Sequence, residues 1–277
     1  MGMRISTNVP SINAQRNLTN SQHMLQQAQA RLSSGSRINR AADDAAGLAI
    51  SENLKAQIRG LRQASRNAND GISLVQTAEG GLNEVGSILT RFRELAIEAA
   101  SDTVGDKERG FLDVEYQQLK SEVQRIAETT RFNNRDLLNG TGGVFDIQVG
   151  VYNDSFKDRI SFDVGASDST LEALGMSAES IASKEGAQVS LAAVDEAIES
   201  VAGMRANLGA LQNRLQSTVN NLGVYDENMS AANSRIRDTD IAAESSEMIK
   251  NQVLLQAGIS VLSQANQVQQ LALKLLT

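Results

Sequence analysis

Apolar residues recur at helical spacing along most of the chain, and the longest uninterrupted pattern lies at its C-terminal end. From Ile241 onward the segment contains no Pro, and Gly258 is its one weak position, costing about 1 kcal/mol relative to Ala. A seven-residue spacing gives two apolar lines, the first through Met248, Leu255, Ile259, Leu262, Leu273 and Leu276 and the second through Leu254, Val261, Val268 and Leu275. A helix that is apolar on more than one side is normally buried all round, so this segment is expected to pack against several neighbours.

The first forty residues carry a similar but weaker pattern, in which Leu18, Leu25 and Leu32 repeat at seven residues. Burying the large apolar residues of the two ends contributes less free energy than ordering both segments costs, so an isolated pair is marginal. We therefore predict that both ends become ordered when neighbouring copies of the chain supply the missing contacts. The predicted self-assembly residues are Leu18, Leu25, Leu32, Leu255, Ile259, Leu262, Leu273 and Leu276.

Three further helices are predicted between the ends, over about 44–100, 106–130 and 187–235. The first carries apolar residues seven apart, and the last has a mean apolar step close to 3.5, which is typical of a coiled coil. The core positions predicted for the last helix are Leu191, Val194, Ile198, Val201, Met204, Leu208, Leu211, Leu215, Val219, Leu222, Tyr225 and Met229. Ser11 or Asn13 is the expected N-cap of the first helix of the chain, Asp43 or Asp44 of the second, and Asp240 of the last.

A strand pattern occurs once in the chain, in the middle. Apolar residues alternate with polar ones from Phe145 to Val151 and again from Ile160 to Val164, which predicts a small β-hairpin. The fold class that follows is mostly α: a long antiparallel coiled-coil helical rod formed by both chain ends, with a small β-hairpin element in the middle.

The predicted domain organisation is nearly symmetric about this hairpin. Its parts are an N-terminal polymerisation segment (1–43), the N-terminal half of the rod (44–139), the hairpin region (140–186), the C-terminal half of the rod (187–237) and a C-terminal polymerisation helix (238–277).

Composition excludes several kinds of chemistry. The chain has no Cys, one His and a net charge of −7, which rules out disulfides and thiolate catalysis and disfavours a general nucleic-acid binder. Asp43 with Asp44 and the single His23 are the only candidates for acid–base or metal chemistry, and capping and solvation explain them better. We expect no catalytic residue, metal or cofactor. The first thirty residues lack a continuous apolar stretch, so no cleaved signal peptide is expected, and no membrane span is expected either.

Five stretches resemble bacterial flagellin: RISTNVPSINAQRNL (4–18), LSSGSRINRAADDAAGLAIS (32–51), NANDGISLVQTAEGGLNEV (67–85), TRFRELAIEAA (90–100) and ANQVQQLALKLLT (265–277). The resemblance covers nearly the whole chain and lacks a large variable insert in the middle, so the chain resembles a short flagellin. The RIST start is also similar to hook–filament junction proteins of the same superfamily, whereas the AADDAAGLAIS run favours flagellin.

This resemblance implies a secreted, extracellular subunit of the flagellar filament that serves motility. The implied partners are other flagellin subunits, an export chaperone at the C-terminal segment during type III export, filament cap and junction proteins, and Toll-like receptor 5. It also implies receptor recognition through Arg91, Leu95 and Glu115, and intracellular sensing through Leu273, Leu275 and Leu276.

Three alternatives remain open at this stage. A hook–filament junction protein would share the architecture without growing into long filaments. A secreted enzyme with coiled-coil ends is disfavoured by the absence of a His, Cys and acid constellation. A monomeric coiled-coil adaptor would have both ends fully ordered in dilute solution.

Overall fold

The structure, a computed structural model, describes residues 7–274, with side chains up to residue 268. This range contains five α-helices, two β-hairpins and one short 3-10 helix, which confirms the mostly α fold class. The helices are α1 (Val9–Ser34), α2 (Ala45–Ala100), α3 (Asp106–Thr129), α4 (Lys184–Arg237) and α5 (Ile241–Lys274). The strands are β1 (Arg131–Phe132), β2 (Arg135–Asp136), β3 (Val144–Gln148) and β4 (Arg159–Asp163), followed by the 3-10 helix Val164–Ser167.

The chain divides into two structural units. The first contains both chain ends, up to Ala56 and from Asn228 onward, and the second is the continuous segment Gln57–Glu227. Because α2 and α4 each extend from one unit into the other, both units draw on the same two long helices.

The second unit has the larger hydrophobic core, formed by α2, α3, α4 and both hairpins. Along α2 the predicted seven-residue line is fully buried from Ala68 to Ala96, where the helix packs within this core. The largest side chains of the core are Tyr116, Phe92, Leu82, Leu89, Leu95, Leu137, Leu138, Met176, Ile181, Leu208 and Leu215. The predicted period is therefore confirmed from Ala68 to Ala96, whereas Leu61, seven residues earlier in the same unit, is half-buried.

Tyr225 is the exception among the predicted core positions of α4. Its side chain is 53% exposed, whereas Leu208, Leu215 and Leu222 on the same helix are buried. The prediction for Tyr225 was wrong because a coiled-coil period marks one face of a helix and does not require a neighbouring element to cover every position of that face; Leu222 before it is buried and Met229 after it is half-buried.

Two glycines of α2 allow the longer hairpin to lie directly on the helix. A Cβ on Gly60 would come 2.9 Å from Val151 Cγ1, and one on Gly71 would come 2.6 Å from Ile147 Cδ1. Both distances are shorter than real Cβ contacts, so a larger residue at either position would displace the Val151 or Ile147 side chain of the hairpin.

The longer hairpin pairs β3 with β4 in antiparallel register, with Phe145 opposite Phe162. This confirms the predicted hairpin, although the strands are shorter than the alternating pattern. A second hairpin, β1–β2, was missed, so the expectation of a single strand region was wrong. Its turn consists of Asn133 and Asn134, with φ values of 48° and 64°, and such Asn pairs favour a tight hairpin turn.

Side chains of α3 form hydrogen bonds with residues 168–183, the segment between the 3-10 helix and α4. The buried Lys120 ammonium donates to the carbonyl oxygens of Ser177 (3.0 Å) and Glu179 (2.9 Å). The Asp113 carboxylate accepts hydrogen bonds from Ser180 Oγ (2.9 Å) and from the Ile181 backbone (2.8 Å). These bonds satisfy the polar groups of a segment that has no regular secondary structure of its own.

The helix caps correct one prediction and confirm two. The Asn8 side chain caps α1 by accepting from the Ser11 backbone at 3.1 Å, so neither Ser11 nor Asn13 is the cap. Pro10 occupies the first turn of α1, where its missing N–H costs nothing, and this fixes the helix start upstream of Ser11. Asp44 caps α2 through the Gly47 N–H (2.8 Å), and Asp240 caps α5, as predicted.

Candidate self-assembly interface

Helices α1 and α5 pack against each other in antiparallel orientation. Asn8 Nδ2 donates to the Ala265 carbonyl at 3.2 Å, near the start of α1. Near its end, Arg31 Nη1 lies 3.5 Å from the Glu244 carboxylate. The predicted pairing of the two chain ends is therefore present within one chain.

The two helices face each other along one line of alternating four- and three-residue steps. In α1 the line is Ser11, Ala14, Leu18, Ser21, Leu25, Ala28 and Leu32, and in α5 it is Glu244, Met248, Asn251, Leu255, Gly258, Leu262 and Ala265. Small and polar residues fill about half of these positions, and none of them is among the predicted self-assembly residues, which are all large and apolar. The steps of four and three would have identified them.

The structure places the predicted self-assembly residues in two environments. Leu18, Leu25, Leu32, Leu255 and Leu262 are half-buried on the α1–α5 line. By contrast, Ile259 is 52% exposed and lies off that line. The Leu273 side chain, Leu275 and Leu276 lie outside the described residues.

Few side chains are buried between α1 and α5, and those that are buried are small or polar. Among the described side chains of these two helices, Ala14, Ala28 and Asn251 are the ones that are fully buried, and none is a large apolar residue. The Asn251 amide donates to the Glu247 carbonyl of its own helix at 2.9 Å, so this hydrogen bond does not join the two helices. Two helices joined by so little buried apolar area gain little free energy from each other.

The remaining faces of α5 carry large apolar residues that are open to solvent, interspersed with polar ones. Among the described side chains of α5, seven large apolar residues are exposed, namely Ile241, Ile249, Val253, Leu254, Ile259, Val261 and Val268. They include the described part of the second predicted line and lie on several sides of the helix. Because a helix that is apolar on all sides is normally buried, these faces are candidates for contact with other chains.

A backbone clasp joins the segments that connect the terminal helices to the long ones. The Arg37 N–H donates to the Arg237 carbonyl at 2.6 Å, and the Thr239 N–H donates to the Gly35 carbonyl at 3.0 Å. The Arg37 guanidinium adds a bond of 2.9 Å to the Ile236 carbonyl. Gly35 has φ of 68°, a conformation that favours Gly and ends α1 where the clasp begins.

The candidates for acid–base chemistry have structural roles in this unit. Asp43 accepts the backbone N–H groups of Arg40 (2.9 Å) and Asn39 (3.0 Å), and these bonds lower the pKa of its carboxyl group. Asp44 is the cap of α2, and His23 is exposed on α1. Within residues 7–274 no group of three or more His or acidic residues is arranged to hold a metal ion.

The three residues implied in receptor recognition lie on α2 and α3 of the second unit. Arg91 forms ion pairs with Glu115 at 2.8 Å and with Glu94 at 2.9 Å, all at the surface. Leu95 is fully buried in the core, so the exposed part of this patch consists of the charged residues. Recognition by a receptor stays a prediction.

Comparison with known protein families matches most of the chain, on both sides of residues 143–190. The family described as "Bacterial flagellin N-terminal helical region" matches residues 5–142, and "Bacterial flagellin C-terminal helical region" matches residues 191–276. The chain belongs to the bacterial flagellin family. Flagellin is a structural protein, which is consistent with the expectation that the chain is not an enzyme.

Individual flagellins support this assignment over the full length. The flagellin of Halalkalibacterium halodurans is 47% identical over 274 residues, covering 99% of this chain and 100% of the relative. A protein of Brachyspira hyodysenteriae named "Flagellar filament core protein flaB2" is 44% identical, with 99% and 100% coverage. The crystal structure of Bacillus cereus flagellin has a TM-score of 0.51 and 31% identity, and covers 61% of this chain and 94% of that one. No helix in the described part of this flagellin is long and apolar enough to cross a membrane.

Proposed function

We propose that this chain is the structural subunit of a bacterial flagellar filament and that it assembles with copies of itself for motility. Two relatives that match over the whole length are named flagellin and flagellar filament core protein, and this favours a filament subunit over a hook–filament junction protein. The chain also matches the flagellin family at both ends, which are the parts that carry the exposed apolar faces.

The observation that carries the proposal is the distribution of apolar residues around α5. One line of the helix faces α1, while Val253, Ile259 and Val261 and their exposed neighbours have no cover within the described part of the chain. Exposed apolar area of this kind is removed from water when other copies pack against it. A surface that binds a different surface on the next copy, by a rotation that does not close, produces an open helical filament.

The thin interior of the α1–α5 pair supports the proposal that the terminal helices become fully ordered during polymerisation. Ordering a residue costs roughly 1.5 kcal/mol of conformational entropy. The free energy gained by burying the small side chains of this pair offsets little of that cost. Contacts with other copies on the exposed faces of α5 supply the rest.

The proposed partners follow from the same role. They are other copies of the chain, an export chaperone that binds the C-terminal segment before assembly, filament cap and junction proteins, and Toll-like receptor 5 at the Arg91 and Glu115 surface. The proposed location is outside the cell, in the flagellar filament.

Deletion of residues 241–277 tests the assembly role. We expect the truncated chain to remain monomeric in sedimentation and to form no filaments in electron micrographs under conditions where the full chain polymerises. The second unit is expected to keep its cooperative unfolding transition, because its core is formed by residues 57–227. Filaments formed by the truncated chain would refute the proposal.

A point substitution gives a sharper test. Val261→Asn places an amide on an exposed face of α5 that the proposal buries between chains, where an unpaired amide costs about 1–3 kcal/mol. Val144→Asn is the matched control, since Val144 has nearly the same exposure (54% against 55%) but lies on β3. We expect the concentration needed for assembly to rise for Val261→Asn and to stay near wild type for the control. Equal effects of the two substitutions would mean that this face is not an interface.

A further inference from the structure

Asn139 is followed by Gly140, and this is the one Asn–Gly pair in the sequence. The backbone nitrogen after an Asn can attack the side-chain amide carbon of that Asn and close a succinimide ring. A Gly at the second position favours this reaction, because it has no Cβ to shield its nitrogen and adopts backbone conformations that other residues avoid. Gly140 has a φ of 73°, which is such a conformation. The pair is therefore a candidate for a spontaneous change in the covalent structure of the chain.

The oxygen of the Asn139 side-chain amide accepts two hydrogen bonds from one residue. Its Oδ1 accepts the backbone N–H of Thr141 at 3.0 Å and the hydroxyl of Thr141 at 2.7 Å. Attack at the amide carbon moves negative charge onto this oxygen, and donors that are already in place stabilise an oxyanion as it forms. The two Thr141 groups are therefore arranged to lower the barrier to attack at Asn139.

The nitrogen of the same amide faces a carboxylate. Asn139 Nδ2 donates to Asp136 Oδ2 at 2.9 Å, and Asp136 also forms an ion pair with Arg131. The hydrogen bonds from Asn139 and Arg131 lower the pKa of the Asp136 carboxyl group, so it is ionised at neutral pH. Nδ2 becomes positively charged when it takes up a proton before it leaves as ammonia. An ionised carboxylate beside it stabilises that charge.

The attacking nitrogen is not held by another group. In the part of the chain that the structure describes, the Gly140 N–H donates no hydrogen bond. The exposed loop of the longer hairpin offers a contrast, because Asn153 is followed there by Asp154, whose N–H donates to Asp158 Oδ2 at 3.0 Å. Attack by the Asp154 nitrogen breaks a hydrogen bond, whereas attack by the Gly140 nitrogen breaks none.

The backbone next to the pair is fixed, and the pair itself is open to water. Leu138 is fully buried, and its carbonyl accepts the Ser169 N–H at 2.8 Å. Reacting groups that are already positioned need little further ordering, which is how intramolecular reactions gain rate. Asn139 is half-buried and Thr141 is exposed, so water reaches the amide.

We propose that Asn139 is a site of spontaneous deamidation, promoted by the Thr141 donors and the Asp136 carboxylate. The Gly140 nitrogen forms a bond to Asn139 Cγ, the bond from Cγ to Nδ2 breaks, and ammonia leaves with the proton that Gly140 gives up. Water then adds to one of the two ring carbonyl carbons and opens the succinimide to an aspartate or an isoaspartate at position 139. Water is the only co-reactant. Every step takes place within one chain, so this inference is independent of the proposed filament function.

Deamidation removes a hydrogen bond and adds a charge at the same contact. The new carboxylate has no hydrogen to donate to Asp136, and two like charges placed side by side repel each other. An isoaspartate also lengthens the backbone between Leu138 and Gly140 by one carbon atom. The contact between β2 and the loop that follows it is therefore expected to weaken as the chain ages.

Peptide mass spectrometry of the full chain tests the assignment. Dilute wild-type monomer is incubated at neutral pH and sampled over days, and the conversion at each Asn is measured after proteolysis. We expect Asn139 to convert several-fold faster than Asn153. A rate at Asn139 equal to or below the rate at Asn153 would overturn the proposal.

Substitution of Thr141 tests the contribution of the fold. Thr141→Val removes the hydroxyl donor with little change in shape, and we expect it to slow the conversion of Asn139 about tenfold. Thr141→Ser keeps the hydroxyl and should react at nearly the wild-type rate. The matched control is Thr129→Val, which removes a hydroxyl at the end of α3 and should leave the rate at Asn139 unchanged.

The same chains in urea show whether the effect belongs to the folded loop. Wild type and Thr141→Val are expected to convert at the same rate when they are unfolded. An unchanged or faster conversion of Asn139 in folded Thr141→Val contradicts the proposal, because it means that the hydroxyl does not assist the attack.

Asn139→Asp reproduces the charge of the product and tests its consequence. We expect the urea midpoint of this variant to lie below that of wild type. Adding Asp136→Asn to the same chain should recover part of the difference, because it removes the facing charge. Equal midpoints for Asn139→Asp and wild type would contradict the weakening of this contact.

Discussion

Gly258 of α5 lies against Leu18 of α1, so closely that a Cβ built on Gly258 would come within 3.0 Å of Leu18 Cδ1. The glycine that weakens the C-terminal helix is therefore the residue that allows the two terminal helices to approach. Its cost in helix propensity, about 1 kcal/mol, is offset by the packing of Leu18.

Gly258→Leu should separate the two helices. Inserting a large side chain at a close contact costs about 1–3 kcal/mol, and we expect the concentration needed for assembly to rise roughly five- to hundredfold. Leu18→Ala combined with Gly258→Leu should recover part of the loss, because it returns space at the same contact. The assembly concentrations of the four chains of this double-mutant cycle measure the coupling, and strictly additive effects would show that the two residues do not share a packing site.

Gly80 and Gly81 are neighbours in α2 with opposite surroundings. A Cβ on Gly81 would come 2.6 Å from Leu138 Cδ1 and 2.8 Å from Thr130 Oγ1, whereas one on Gly80 would meet no described atom within 4 Å. Gly80→Ala should therefore stabilise the monomer by about 1 kcal/mol through helix propensity. Gly81→Ala should destabilise it by about 1–3 kcal/mol through overpacking.

Urea unfolding of the two alanine variants, measured at a concentration too low for assembly, checks this pair of predictions. Each variant controls for the other, since both make the same change one position apart. Two stabilised proteins would mean that Leu138 and Thr130 move aside without cost.

Tyr116 should make the stability of the second unit fall above pH 10. Its ring is buried 4.5 Å from the Phe92 ring, and burial raises the pKa of the Tyr116 hydroxyl to about 12. The unfolded chain releases this proton near pH 10, so the stabilisation is complete below pH 10 and is lost as pH rises through 12. We expect wild type to lose about 2 kcal/mol more than Tyr116→Phe between pH 9 and 12.

Comparison with Tyr116→Phe isolates this contribution from other titrating groups. Burial lowers the pKa of Lys120, which changes stability in the opposite direction, but Lys120 is present in both proteins and its effect cancels. The free energy of unfolding of each protein at several pH values gives the difference. Parallel curves for the two proteins would show that the Tyr116 hydroxyl titrates alike in the folded and unfolded chains.

Amide hydrogen exchange should distinguish the two units in the dilute monomer. We expect the amides of α1 and α5 to exchange rapidly in solitary subunits and slowly in filaments, because the thin α1–α5 interior is completed by other copies. Amides along α2 from Ala68 to Ala96, where one line of side chains is fully buried in the core, should be protected in both states and serve as the internal control. Equal protection of α1 and α5 before and after assembly would contradict ordering by polymerisation.

Local patterns predicted the helices well because the period of a helix depends on residues only a few positions apart in the chain. The fully buried line from Ala68 to Ala96 follows from a spacing of seven alone. The same reasoning missed the β1–β2 hairpin, since two strands of two residues are too short to show alternation. Its signal was the Asn133–Asn134 pair, which adopts the left-handed backbone of a tight turn.

The interface was predicted only in part for a related reason. Leu18, Leu25 and Leu32 were predicted to be self-assembly residues from their size and spacing. Ala14, Ala28 and Gly258 were not included in that set, although they lie on the facing lines of α1 and α5. The steps of four and three place these small residues on the contact line, but their size alone does not show which helix comes close to them.

The sequence by itself determined that this chain is a set of long amphipathic helices with a short β element, and that its C-terminal helix has more than one apolar side. These properties depend on residues close together in the chain, so spacing and composition are sufficient to specify them. The tertiary structure decided which apolar side of α5 meets α1, that the Arg37 and Thr239 backbones close a clasp, and that Tyr225 and Phe156 remain exposed. Those properties depend on contacts between residues far apart in the chain, and such contacts form only when the whole chain is packed.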